Sequence, residues 1–455
     1  MAGIGFELRK MLAKRSFMGE LGALFYAALI SSGPWLASIL CLSLLSVYAS
    51  MQLGRAEAEL FRTLAVYSYG ASLVLVGGVQ LVITRYLADE HFLGRHGSTM
   101  SCFSTVALGV MSVALAVSSA AYATLDVSPA FAFWGVSMFL SICMVWVSMV
   151  FIGAIKDYRA VVTAFLGGTA VALCGSVWLG NYHGGAGYMA GFALGQFAIF
   201  AAIVSRMLTE FELQGFINRD VPGYFAKYWD MALTGLFYNA AIWMDKVVFW
   251  NTPESRAVLD WLRVNDLYES PVFFSYLTIV PAMAIFLLRV ETAFHENYQQ
   301  YFALVTGRGT LSQILARKVL LVESLRVNLR YLFVVQGTVT GLCLALAPTL
   351  VEKMELFPVQ VTIFRLALLG AFLQALVSVV MVILFYFARR MSVLVTSAVY
   401  LASMTVLSLL SADLGYQYYG YGYAGANLIT LCVAYQMMER CLSKLEYVTF
   451  SQEPV

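Results

Sequence analysis

Apolar runs of about twenty residues recur along the chain from Leu21 to Met438, separated by short polar turns. A helix rises 1.5 Å per residue, so about 20 apolar residues cross roughly 30 Å of hydrocarbon. The pattern predicts twelve spans, at 21–48, 62–84, 99–123, 130–155, 160–179, 185–207, 231–250, 271–290, 327–349, 360–387, 392–411 and 419–438. The turn GNYHGG (180–185) separates the fifth from the sixth, and DVSP (126–129) separates the third from the fourth. The expected fold is an all-α polytopic membrane protein.

Two inner segments interrupt this rhythm. Residues 208–230 join the first six spans to the last six. Residues 291–326 form a long insertion with an amphipathic stretch from about Leu311, where Ile314, Leu315, Lys318, Leu321, Val322 and Leu325 share a face at helical spacing. That face suits either a helix lying at the membrane interface or a docking surface for a cytoplasmic partner, with Leu321 and Leu325 as its candidate anchors.

Composition supports the membrane reading. Of 455 residues, 61% are apolar and 12% charged, where a soluble domain carries nearer a quarter. The net charge of +2 and the lack of basic runs give no reason to expect nucleic acid. The seven cysteines are scattered, without metal-ligand spacing, so neither a disulfide framework nor a metal site is expected. The N-terminal stretch MAGIGFELRKMLAKRS is amphipathic and lacks the short apolar core and cleavage site of a signal peptide.

Charge then sets orientation. With the N-terminus inside, 21 of the 28 Lys and Arg residues fall at inner ends and loops, against five at outer ones. Both termini are therefore expected in the cytoplasm. The loops repeat in a six-plus-six pattern, predicting two six-helix lobes, 21–207 and 231–438, flanked by an N-terminal segment (1–20) and a tail (439–455). Transporters with such parallel repeats carry their substrate path between the halves.

No P-loop, GxSxG, HExxH or Asp-x-Asp motif is present, so no catalytic residue, nucleotide site or cofactor is expected. The informative chemistry is charge inside the membrane, which is costly and so turned toward protein or water. The first six spans have none in their interiors, span 7 carries Asp245 and Lys246, and span 10 carries Arg365. Asn239, Trp243, Lys246 and Trp250 share one face of span 7, with Tyr238 and Asp245 on the adjoining face. Indoles that stack on sugar rings, with amides and charges that bind hydroxyls, would suit a sugar path. A structural ion pair of Asp245 with Lys246 or Arg365 is the competing reading. Gln374 in span 10 is a further path candidate, though such amides also tie helices together. Gly33 and Pro34 in span 1 and Pro281 in span 8 are candidate hinges, or simply packing kinks. The tyrosines of YQYYGYGY (416–423) suit an interfacial aromatic belt, or glycan stacking at an exit.

GIGFELRK (3–10), SSGPW (31–35), MDKVVFW (244–250) and ETAFHENYQQYF (291–302) together resemble one family. It is the Pel exopolysaccharide transporter family, PelG, a branch of the multidrug/oligosaccharidyl-lipid/polysaccharide flippase superfamily. The resemblance covers the whole chain and implies two six-helix lobes around a central cavity. It also implies export of an N-acetylgalactosamine-rich polysaccharide across the bacterial inner membrane for a biofilm matrix. The implied companions are a cytosolic glycosyltransferase, a cyclic-di-GMP-binding membrane receptor and a membrane repeat protein. A cation-coupled drug or lipid-linked oligosaccharide flippase, and a non-transporting scaffold of a synthase complex, are the alternatives. The drug antiporter would need a buried carboxylate in the first lobe, which spans 1–6 lack.

Overall fold

The computed structural model describes residues 17–95, 97–155, 157–212, 215–288, 294–307 and 309–452. The GIGFELRK segment and the rest of residues 1–16 lie outside them. In chain order the elements begin with helices α1 (Phe17–Gln52), α2 (Arg55–Phe92), α3 (Ser98–Ala123), α4 (Pro129–Ile155) and α5 (Tyr158–Glu210). They continue with α6 (Val221–Lys227) and α7 (Trp229–Trp250), a hairpin of β1 (Arg256–Leu259) and β2 (Leu262–Val264), then α8 (Asp266–Leu277) and α9 (Val280–Ile285). The chain closes with α10 (His295–Thr306), α11 (Leu311–Ala345), α12 (Ala347–Lys353), α13 (Gln360–Tyr386), α14 (Arg390–Asp413), α15 (Tyr421–Ser443) and α16 (Leu445–Gln452).

Among the described residues, nine helical stretches are long and apolar enough to cross a membrane. α7 and α15 add two of membrane length with more polar sequences, and α5 crosses twice. The result is twelve membrane-spanning helices, as the hydropathy predicted.

α5 turns back on itself at Gly184, whose φ of 58° and ψ of −140° are open to glycine at little cost. Its halves then run antiparallel at very close range. A Cβ at Gly187 would lie 2.1 Å from the Leu179 carbonyl oxygen, one at Gly191 2.0 Å from Ser176 N, and one at Gly195 2.4 Å from the Ala172 Cβ. The partners step backward as the glycines step forward, and the Ser176 hydroxyl donates to the Tyr188 carbonyl at 3.0 Å. Glycines four apart let two backbones meet where lipid offers no hydrophobic drive.

The eighth span is broken. α8 ends at Leu277 and α9 begins at Val280, with Pro281 in its first turn. Proline cannot donate the next helical hydrogen bond, so carbonyls upstream are freed. One is recovered across helices: Gln336 of α11, fully buried, donates through Nε2 to the Thr278 carbonyl at 2.7 Å. Pro34, by contrast, lies inside a continuous α1, where Ser38 donates to its carbonyl at 3.2 Å.

The amphipathic stretch from Leu311 and the ninth span are one 35-residue helix, not two elements. Thr310 and Gln313 form a capping box at its start, and no glycine or proline interrupts it before Gly337. Its buried face runs through Ile314, Leu321, Leu325, Asn328, Leu332, Gln336 and Thr340. Leu321 and Leu325, expected to anchor a partner, are 0% and 2% exposed, so the chain itself covers them. The exposed apolar positions of that stretch are Leu311, Leu315, Val319 and Leu320.

Two compact units result. One is Pro34–Asp266, with a core of Phe103, Phe151, Phe165, Ile199 and Met207 at one end and Phe61, Phe131, Tyr188 and Phe192 at the other. The second comprises residues up to Gly33 and Leu267–Val455, and packs Phe364 and Leu368 of α13 on Ala347 and Val351 of α12. The lobes expected at 21–207 and 231–438 are a division by topology. The compact units divide instead at 33/34 and 266/267, because α7 packs on α2. One passage of the chain between units thus falls on the candidate hinge Gly33–Pro34.

Candidate functional site

Glycine opens a groove on α2. Gly70 and Gly77 stand one heptad apart, so they share a face of the helix. α7 lies in that groove. A Cβ at Gly77 would come within 2.8 Å of the Gly235 carbonyl oxygen and 2.5 Å of Asn239 Nδ2, and one at Gly70 within 2.8 Å of the Trp243 ring. A Cβ at Gly235 would in turn stand 2.0 Å from the Gly77 carbonyl oxygen.

The polar stripe of α7 is therefore turned into a seam. Asn239 donates to the Gly235 carbonyl of its own helix at 2.8 Å. The Trp243 indole N–H is buried with no hydrogen-bond partner. Lys246 curls back along the helix, with Nζ 3.0 and 3.2 Å from the Asp245 carboxylate oxygens, 3.2 Å from the Ile242 carbonyl and 5.5 Å above the Trp243 ring. Asp245 is fully buried and the Lys246 side chain is 13% exposed. Neighbours in sequence do not face each other on a helix, so this pair forms only because the lysine stem bends. Tyr238 is half-buried on the same helix.

Arg365 and Gln374 belong to the other compact unit. Arg365 is exposed. Gln374 accepts from the Tyr423 hydroxyl at 2.5 Å, and Tyr423 packs where a Cβ at Gly370 would stand. The predicted residues thus fall into a group on α7 and two positions elsewhere.

At one end of the seam the β1–β2 hairpin spans several elements of the same unit. Its strands pair antiparallel with an irregularity between Ala257 and Leu259, and the turn places Asp260 at φ 48°. Arg256 bonds to Glu59 of α2 and, at 2.9 Å, to Asp266, while Arg62 of α2 lies 3.6 Å from Asp266. The Glu59 hydrogen bond, reinforced by Asp266, raises the Arg256 guanidinium above its ordinary value. Tyr67 of α2 donates to the Arg263 carbonyl at 2.8 Å and stacks on Trp250, the last residue of α7. The hairpin tip reaches the α3–α4 turn: Trp261 donates to Thr124 at 2.9 Å, and the Asp126 amide donates to Asp260 at 3.0 Å. Asn265, fully buried, donates to the Phe249 carbonyl and to Thr252, both at 3.0 Å.

At the opposite end, ties are made between polar side chains. Asp157 caps α5 by accepting from the Ala160 amide at 3.1 Å and takes Arg206 Nε at 2.8 Å. The Arg206 hydrogen bond, then the Ala160 amide, hold its carboxyl below the usual value. Asn218, between α5 and α6, donates to the Tyr86 hydroxyl at 2.7 Å and its amide to Thr105 at 2.7 Å. In the other unit Lys318 of α11 grips Glu446 of α16 at 2.6 Å. Burial works to raise that carboxyl, and the Lys318 hydrogen bond helps bring it below its ordinary value.

Sequence reasoning found the α7 stripe but not what covers it. Gly70, Gly77 and Gly235 carried a signal only in their heptad and small-residue spacing. The hairpin's signal was the alternation in RAVLDWLRV (256–264), between the seventh and eighth predicted spans.

The twelve-helix architecture has solved counterparts. It is similar to an outward-facing multidrug resistance MATE family transporter of the MOP superfamily, with a TM-score of 0.63 at 12% identity over 92% of this chain and 96% of that one. It is similar to the Vibrio cholerae MATE transporter VcmN in the bent form, with a TM-score of 0.64 at 10% identity over 97% and 98%. A MOP superfamily transporter from Pyrococcus furiosus aligns at a TM-score of 0.62 and 12% identity over 92% and 96%. No curated protein sequence matches significantly. The PelG family model, described as "Putative exopolysaccharide Exporter (EPS-E)", matches residues 1–450. The chain is thus a multi-pass membrane protein with the MOP-superfamily transporter fold, and it belongs to the PelG family.

Proposed function

We propose that this protein exports an N-acetylgalactosamine-rich exopolysaccharide of the Pel type across the bacterial inner membrane during biofilm matrix production. The observation that carries the reading is the family match over residues 1–450. The transporter fold supports it. The side chains of α7 add a chemical reason: once freed from the seam, Trp243 would offer a ring face and Asn239 and Asp245 hydrogen bonds, a set suited to a neutral glycan, with Trp250 reaching the path only if it leaves its stack on Tyr67. In this reading Asn239, Trp243, Asp245 and Lys246 line the path when the α2–α7 seam opens. Arg365 and Gln374 of α13 are further candidates for contact with the polymer. Gly33–Pro34 and the Pro281 break supply the flexible points.

The working unit is a complex. A cytosolic glycosyltransferase, a cyclic-di-GMP-binding membrane receptor and a membrane repeat protein would deliver and license the polymer. In this reading, which the excess of basic residues at one side supports, both termini and the α11 start lie in the cytoplasm and the β1–β2 hairpin outside.

The test is secretion. A strain lacking this chain should make polymer inside and release none, and the intact chain should restore release. Normal release without the chain would overturn the proposal. Orientation has its own check: Glu254→Cys should react with an impermeant thiol reagent applied outside, and Ser312→Cys should not.

A further inference from the structure

The ends of the loop that carries the β1–β2 hairpin meet, since Asn265 donates to the Phe249 carbonyl at 3.0 Å, so the hairpin does more than connect α7 to α8. Its attachments differ in kind. Toward α7 it is held by buried groups, with Asn265 bonded to Phe249 and Thr252. Toward α2 it is held by the Tyr67–Arg263 backbone bond and by Arg256 on Glu59, whose side chain is 19% exposed, within a cluster of wetter charges. The Arg256, Arg62 and Asp266 side chains are 49%, 44% and 49% exposed. Ion pairs so wet are screened and individually weak. The tip is held by the Trp261–Thr124 and Asp260–Asp126 bonds and by Leu262, fully buried in the apolar cluster beneath.

The seam below is smooth. Gly77 and Gly235 meet backbone to backbone, and Gly70 takes the Trp243 ring. The closed seam also leaves the Trp243 N–H buried and unpaired, and such a donor is penalised until it finds water or a hydroxyl. Closure is thus opposed at the middle of the seam and secured at its hairpin end.

We propose that the β1–β2 hairpin is a releasable latch. Its grip on Glu59 and Tyr67 holds the end of α7 on α2, and release opens the Asn239–Trp243 side of α7 to water from the hairpin end. A hydroxylated ligand entering there would satisfy the indole that closure strands. The proposal rests on α7 lining the transport path.

The test joins the latch reversibly. In a chain with the exposed Cys174 and Cys432 changed to alanine, Glu59→Cys and Arg256→Cys are bridged by a short cleavable bis-methanethiosulfonate. Bridging should abolish polymer secretion, and reductant should restore it in the same cells, which excludes misfolding. A second measurement needs no polymer: reaction of Asn239→Cys with an impermeant maleimide from the hairpin side. Arg256→Glu should raise that rate roughly fivefold, as expected when one exposed grip is lost, and adding Glu59→Arg should bring it back down. Unchanged labelling in Arg256→Glu, or full secretion by the bridged protein, would overturn the latch. Altered labelling without any polymer secretion by the unbridged parent would instead retain the latch and sink the export reading.

Discussion

The Tyr67 ring lies flat on Trp250, with centroids 4.0 Å apart and planes 13° from parallel, while its hydroxyl bonds the Arg263 backbone. One side chain thus ties α2 to both the end of α7 and the hairpin. Tyr67→Phe should keep the stack and cost about 1 kcal/mol through the lost hydrogen bond. Tyr67→Ala should lose both, at roughly 3–5 kcal/mol. Thermal unfolding of the purified protein in detergent measures the difference, and equal losses in the two variants would refute the assignment.

The glycine groove makes a sharper prediction. Gly77→Ala places a methyl 2.5 Å from Asn239 Nδ2 and 2.8 Å from a backbone oxygen. Overpacking of that kind costs about 1–3 kcal/mol. Gly78→Ala, one residue on, meets nothing nearer than 3.9 Å and should be neutral or slightly stabilising, since alanine favours helix by about 1 kcal/mol. Comparable melting temperatures for the two would show that the seam is loose.

Asp245 and Trp243 separate three roles. If α7 lines a neutral-glycan path, Trp243→Ala should reduce secretion at normal protein level, while Asp245→Asn should be mild because an amide still bonds hydroxyls. If Asp245 carries a proton, Asp245→Asn should be nearly null for secretion. If its role is to neutralise Lys246, held at 3.0 Å, the amount of folded protein should fall instead. Membrane level and released polymer for both variants distinguish these outcomes.

Asp157 should respond to acid. Its carboxyl is lowered by Arg206 and the Ala160 amide, so the folded chain holds the charged form more readily than the unfolded chain does. The stability it supplies is complete above the ordinary carboxylate value, about 4, and disappears as pH falls through the lowered value. Asp157→Asn should therefore lower the melting temperature at about pH 7 and by less at about pH 3. A pH-independent gap would remove the ionic explanation.

The break in the eighth span can be probed from its partner. Gln336→Leu strands the Thr278 carbonyl but also removes a side-chain oxygen that is itself buried without a partner. The two effects oppose, so the net loss should be about 1 kcal/mol. A loss no larger than that of an exposed α11 variant such as Val319→Ala would mean that the freed carbonyl has found another donor.

Hydropathy was sufficient for the spans because lipid imposes one requirement on every helix, an apolar length near 20 residues. It also located the turn at Gly184 and the proline at the break before Val280, since both residues limit backbone geometry directly. It was silent on which helix faces which. The signal at Gly70 and Gly77 is the absence of side chains, and an empty face does not name what fills it. The hairpin was hidden by its four- and three-residue strands, and Leu321 and Leu325 looked available because helical periodicity finds an apolar face without naming what covers it.

The length of α11 has a mechanical corollary. Thirty-five residues rise about 52 Å, against roughly 30 Å of hydrocarbon, so one end stands well clear of the bilayer. With no proline along it and its cap locked by Thr310 and Gln313, it behaves as a strut. A displacement near Leu315 would be carried along the same helix to Gln336, whose amide bonds the Thr278 carbonyl. Whatever grasps the protruding end has its hand on the broken span inside the membrane.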